Sequence, residues 1–175
     1  MTPPPLPWLS HTPATPDATP DDPDLWFERP RPRVAPNTAS WLSALRRTEF
    51  NRQVADAKTR GRTLVVTTYV VGPRSDQDRL RQPLVQYAGE QEWRVHRRSF
   101  ADESLTEALR EGSGLHQACV HASSGYVRGI LTAGRFMITP DDAAYESILR
   151  WLADRATFLT YPSPLTRAYQ EAVKP

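Results

Sequence analysis

The chain has a single cysteine, Cys119, in 175 residues. That excludes an intrachain disulfide and a zinc site built from several thiolates. Cys119 lies between Ala118 and Val120 in an apolar-periodic run, which suits a small buried hydrophobe. No stretch reaches the roughly 18 apolar residues that a membrane helix needs. The start of the chain lacks the basic and apolar regions of a signal peptide. These absences predict a cytoplasmic protein with no membrane role. There is no G-x-G-x-x-G and no Walker lysine motif, so a nucleotide-binding α/β domain has no direct support. His11, His96, His116 and His121 lack metal-ligand spacing, and no metal or other cofactor is expected. Charge of one sign is also scarce. A formal net charge of +2 is far from the dense basic footprint of an autonomous, tight DNA binder.

Proline is plentiful but uneven. Of 17 prolines, eleven fall within residues 3–36. That segment has few aliphatic residues and cannot bury enough surface to offset its ordering entropy. Residues 1–37 are therefore predicted to be a disordered tail, with PPPLPW favouring polyproline II. Trp8, Trp26 and Phe27 are its candidate docking or packing points.

Past the tail, Ser40 is placed to cap a helix running to about Thr59, with Trp41, Leu42, Leu45, Phe50, Val54 and Ala57 on one apolar face. Residues 63–71, TLVVTTYVV, read as a buried central strand. The loop 72–76 follows, with Ser75 or Asp76 placed to cap a helix reaching Ala88. Pro83 predicts that this helix starts near Arg81 or kinks. A second strand is expected over 92–100, a short helix over 105–109 and a helix over 115–122. A third strand spans 126–132, a helix capped by Asp141 or Asp142 runs to Asp154, and a fourth strand spans 157–161. A last helix is expected over 165–173. Strand-helix alternation of this kind predicts an α/β fold: a mainly parallel four-stranded sheet with helices on both faces. Its functional residues should gather beyond the carboxyl ends of the strands. The loop 72–76, Asp102 and the loop 133–140 all fall there.

The segment YVVGPRSDQDRLRQ, residues 69–82, resembles the first strand and loop of serine recombinases, approximately Y-x-R-V-S-T-x-x-Q-x-x-x-x-Q. Tyr69, Gln77 and Gln82 match without a gap. Val71 stands at the arginine position and Pro73 at the nucleophilic serine. Tyr87-Ala88-Gly89 and Trp93 are similar to the family's next phrase. Phe100, Asp102 and Ser104 resemble the end of its second strand. Gly114-Leu115 and Ala118 resemble a helix start, with Arg110 set further away than usual. Where the family has D-R-L-S-R, this chain has Gly134, Arg135, Phe136, Met137 and Ile138, so only Arg135 survives. The resemblance covers roughly residues 64–162. It implies a resolvase-like α/β domain over 63–175, with residues 38–62 as an added N-terminal helix.

As the resemblance implies, the family cuts DNA by serine attack on a phosphodiester, leaving a phosphoserine link. Such attack needs an activated hydroxyl and cations on the equatorial oxygens. The site Val71, Pro73, Gly134 and Ile138 is degenerate in both respects. Losing a nucleophile alone costs roughly 10⁴–10⁶-fold in hydrolases. Ser75, two residues downstream, is the fallback nucleophile, and helix capping is its competing role. Gln77, Asp102, Arg110 and Arg135 form a candidate residual anion site; an Asp102–Arg135 ion pair is the structural alternative.

The expected function is an inactive resolvase-like module that interacts or regulates in site-specific DNA recombination. The alternative is a diverged strand-transfer enzyme using Ser75. The family's long helix after the fourth strand and its DNA-reading module have no counterpart in the 14 residues after Tyr161. DNA contact by this chain alone is therefore expected to be weak and non-specific; Arg79, Arg81, Arg94, Arg97 and Arg98 are a local basic excess, with a solvated charged surface as the alternative. A DNA-associated protein is the expected partner, and the chain a monomer or weak dimer.

Overall fold

The computed structural model describes residues 38–162. The Pro-rich tail, its aromatic spots and the helix expected over 165–173 lie outside the described residues. In chain order the elements are α1 (Thr38–Thr59), β1 (Val65–Val71), α2 (Gln77–Glu90), β2 (Arg94–Val95), β3 (Phe100–Asp102), α3 (Leu105–Ala108), α4 (Gly114–Ser123), β4 (Gly129–Leu131), a 3₁₀ turn (Arg135–Met137), α5 (Asp142–Ala153) and β5 (Phe158–Thr160).

β1 is the axis. Its sequence VVTTYVV is wholly β-branched or aromatic, so its stiff side chains fit a pleated surface. The strand order is β2-β1-β4-β5, with β3 also paired to β1, and every pair is parallel. Helices cover both faces. Val66 and Val70 point into a core with Leu84 and Ala88 of α2 and Phe158 of β5. Tyr69 points the other way, among Leu115 and Cys119 of α4 and Ile148 and Leu152 of α5. Cys119 is fully buried, and burial pushes its thiol pKa up, which makes it an inert packing group.

The second strand differs from the expected 92–100. It is two short segments on the same side of β1, so the sheet has five strand segments in four positions. After the His96 N–H bonds to the Val66 carbonyl (2.7 Å), residues 97–99, with the charged pair Arg97 and Arg98, leave the ladder. Thr67 Oγ1 donates to the Arg98 carbonyl (2.7 Å) and bridges the gap from a side chain. Arg94, Arg97 and Arg98 are exposed along this open edge.

At the opposite edge, α1 lies against β5 and α5. Its apolar residues do not form the single face expected. Leu42 and Leu45 enter the α4–α5 core, while Phe50, Val54 and Ala57 pack on the α2 core. Trp41 is 45% exposed. The innermost line is Leu42, Arg46, Glu49 and Gln53. The helix straddles the edge of the sheet, so its centre line meets a strand margin rather than an apolar face. That margin tolerates polar side chains. Within the line, Gln53 Nε2 donates to Glu49 Oε1 (2.8 Å).

α2 begins at Gln77 and keeps Pro83 inside it, against the expected start near Arg81. Asp76 occupies the N-cap position without a side-chain cap bond; its carboxylate meets Arg79 at 3.4 Å instead. Asp141 does cap α5, accepting from the Ala144 N–H (2.6 Å).

Candidate functional site

The carboxyl end of β1 opens onto a cleft of about 560 Å³. Its polar lining includes Arg74, Gln77, Asp102, Glu103, Glu107 and Ser113. Three carboxylates thus face one guanidinium, and that guanidinium is engaged: Arg74 Nε donates to Glu103 Oε1 (2.6 Å). Such a lining repels a phosphate rather than cradling one.

Asp102 is the hub of this end. Oδ1 accepts from the Gly114 N–H (2.7 Å), and Oδ2 accepts from the Leu115 N–H (3.0 Å) and the Tyr69 hydroxyl (2.8 Å). The first turn of α4 has orphan donors and a positive dipole end, so a carboxylate is well placed there. Ser113 Oγ accepts from the His116 N–H (3.1 Å) and donates to the Ala108 carbonyl (2.8 Å). The helix start is satisfied from within. Tyr69 is fully buried, and burial, reinforced by the neighbouring Asp102 carboxylate, pushes its phenol pKa up. It therefore acts as a fixed donor.

Close approach is built into the backbone. A Cβ on Gly114 would lie 2.2 Å from the Ala101 carbonyl oxygen. Only glycine lets α4 sit this tightly on β3.

The residues singled out in the sequence divide between two places. Gln77 and Asp102 both line the cleft. Gln77 Nε2 donates to the Gly72 carbonyl (3.0 Å) and steadies the loop after β1. Arg110 is exposed and Arg135 faces α5, and neither lines the cleft. Arg135 binds the Asp142 carboxylate and the Pro140 carbonyl (3.0 Å), so the Asp102–Arg135 pair does not form. Val71 ends β1, and its N–H meets Met137 Sδ at 3.4 Å. Pro73 is exposed, and its carbonyl accepts from the Asp76 N–H (2.8 Å) to close a turn. Ser75 is exposed within that turn and does not line the cleft. Gly134 is extended, with φ 171°. Ile138 is buried in the α4–α5 core.

A second group joins Arg135 to residues that the sequence did not single out as a site. Arg46, Arg135, Tyr145, Thr160 and Tyr161 meet at the carboxyl end of β5. The available signal was Arg46, a charge set between the apolar positions Leu42 and Phe50 of one helix.

His96 and His121 come together although they are not a sequence motif. Nδ1 of His96 and Nε2 of His121 are 3.3 Å apart, and Tyr126 stacks on His121 at 5.3 Å. Burial, then His96 and Arg98, lowers the pKa of His121. The unfolded chain therefore takes up the His121 proton before the native one does. Stability should fall as pH drops below the ordinary histidine range, about 6.5. Urea unfolding at stepped pH should show this slope, and His121→Asn should flatten it. Among the described residues no three of His, Cys, Asp and Glu converge as metal ligands. Nor is any helix among them long and apolar enough to cross a membrane.

The architecture defines the class: an α/β protein with a mostly parallel sheet flanked by helices. No protein-family model, curated protein or solved structure matches the chain.

Proposed function

We propose that this chain is a resolvase-like domain that does not cut DNA and acts as an interaction or regulatory module in site-specific recombination. The observation that carries the reading is Pro73 at the carboxyl end of the central strand, in the turn beside the cleft. A proline ring has no hydroxyl, so the position aligned with the family's nucleophile cannot attack phosphorus. The surroundings agree. The cleft holds more carboxylate than guanidinium, and the α4 N-terminus is occupied by Asp102. Among the described residues, charge developing on a phosphoryl group would meet no free cation there. Central placement of β1, parallel pairing on both sides of it and helices on both faces are compatible with the family's scaffold.

The test is covalent capture on supercoiled DNA under denaturing conditions. The natural chain should give neither a nick nor a protein–DNA adduct. An adduct that disappears in Ser75→Ala would replace this reading with a strand-transfer enzyme. A pull-down with a recombination complex, unaffected by Ser75→Ala, fits the module.

A further inference from the structure

Arg46 is 8% exposed, and no carboxylate among the described residues lies within ion-pair distance of it. Glu49, the nearest acid along its helix, is bonded to Arg52 and Gln53. A buried guanidinium without a counter-ion is costly, and proteins seldom keep one without a partner. Its described contacts are weak. Nη1 reaches Thr160 Oγ1 at 3.4 Å, the guanidinium lies 4.2 Å from the Tyr161 ring centre, and Nε is buried without an acceptor.

The surroundings repeat the shortage of acceptors. Arg135 lies 4.8 Å from the Tyr145 ring centre, and its Nε is also buried and unaccepted. The Tyr145 hydroxyl faces that of Tyr161 without a well-formed hydrogen bond, within the field of both guanidiniums. Burial, then Tyr161, pushes the Tyr145 phenol pKa up, so it stays a donor. Among the described residues Asp142 answers only Arg135, which leaves the group surplus donors and one uncompensated positive charge. Arg135 keeps 26% of its side chain exposed, which gives the group a route to solvent. The location, at the carboxyl ends of parallel strands, is where α/β sheets hold ligands.

We infer that Arg46, Arg135, Tyr145 and Tyr161 form a binding site for one oxyanionic group, a phosphate or a carboxylate carried by a small molecule. The site is separate from the Asp102 cleft and does not depend on the recombinase reading. Arg46 supplies the unanswered charge. Arg135 Nε and the phenols supply further hydrogen bonds, and Tyr161 flattens one wall by stacking on Arg46.

The test uses the full chain, titrated calorimetrically with inorganic phosphate and separately with acetate, with chloride holding ionic strength constant. The expected result is saturable one-to-one binding of one probe in the millimolar range or tighter, and the preferred probe tells phosphate from carboxylate. Arg46→Met should weaken that binding at least about tenfold, close to the energy of one charge-assisted hydrogen bond. Arg135→Gln should do the same, and it keeps the test open should Arg46→Met fail to fold. The inference is overturned if neither probe saturates the natural chain. It is equally overturned if the folded variants bind as tightly as the natural chain, because the ion then sits elsewhere.

Discussion

Asp102→Ala should lower the free energy of unfolding by about 3–5 kcal/mol. The substitution leaves the Gly114 N–H, the Leu115 N–H and the Tyr69 hydroxyl without their acceptor. An unsatisfied buried donor costs about 1–3 kcal/mol, and the three costs overlap because relaxation or a water can serve more than one. Against a typical total of about 5–15 kcal/mol, the loss would bring many domains of this size close to their midpoint. Denaturant titration measures it directly. Tyr69→Phe is the calibrating variant: it removes one donor, leaves the helix cap intact and should cost about 1 kcal/mol. A loss under about 1 kcal/mol for Asp102→Ala would mean that the carboxylate is not the fastening of α4 to β1 and β3.

Gly114→Ala is the second large effect, and its sign reverses the usual rule. Alanine normally exceeds glycine in a helix by about 1 kcal/mol. Here the new methyl would lie 2.2 Å from the Ala101 carbonyl oxygen and 2.6 Å from its carbonyl carbon. Both obstacles are backbone, so relief requires lifting α4 off β3, which stretches the Asp102 bonds as well. A loss of about 3 kcal/mol or more is expected, at the upper end of overpacking costs. Gly89→Ala provides the contrast. Gly89 lies in α2 with nothing within 4 Å of its added Cβ, so that variant should gain about 0.5–1 kcal/mol. Thermal unfolding of the two variants side by side should move in opposite directions.

Local pattern made much of the architecture readable. The β-branched run around Tyr69 marked the central strand, and the pair Asp141 and Asp142 marked the start of α5, where Asp141 proves to be the cap. Where pattern failed, distant contacts decided. The apolar residues of α1 look like one stripe on paper, but they divide between two cores because the helix rides the sheet's edge. The stretch 92–100 looks like one strand, yet its central arginines interrupt the pairing, and a second segment resumes at Phe100–Asp102. Asp102 was visible as a candidate, but not its use: three donors from Tyr69 and the start of α4 take up its carboxylate. Arg135 was visible too, but Asp142 draws it away to α5. The contact between Arg46 and Thr160 joins residues 114 positions apart, and no local motif encodes such a pairing.

The two margins of the sheet are unlike, and this bears on self-association. α1 shields the β5 side, so a foreign strand would have to displace a packed helix to zip on there. Among the described residues no element pairs beyond the β2 side, which is fenced by Arg94, Arg97 and Arg98. Two identical molecules meeting along that side would press guanidinium against guanidinium. The features that oppose ladder-like polymerisation are thus the placement of a few charges and one helix, in a chain whose formal net charge is only +2.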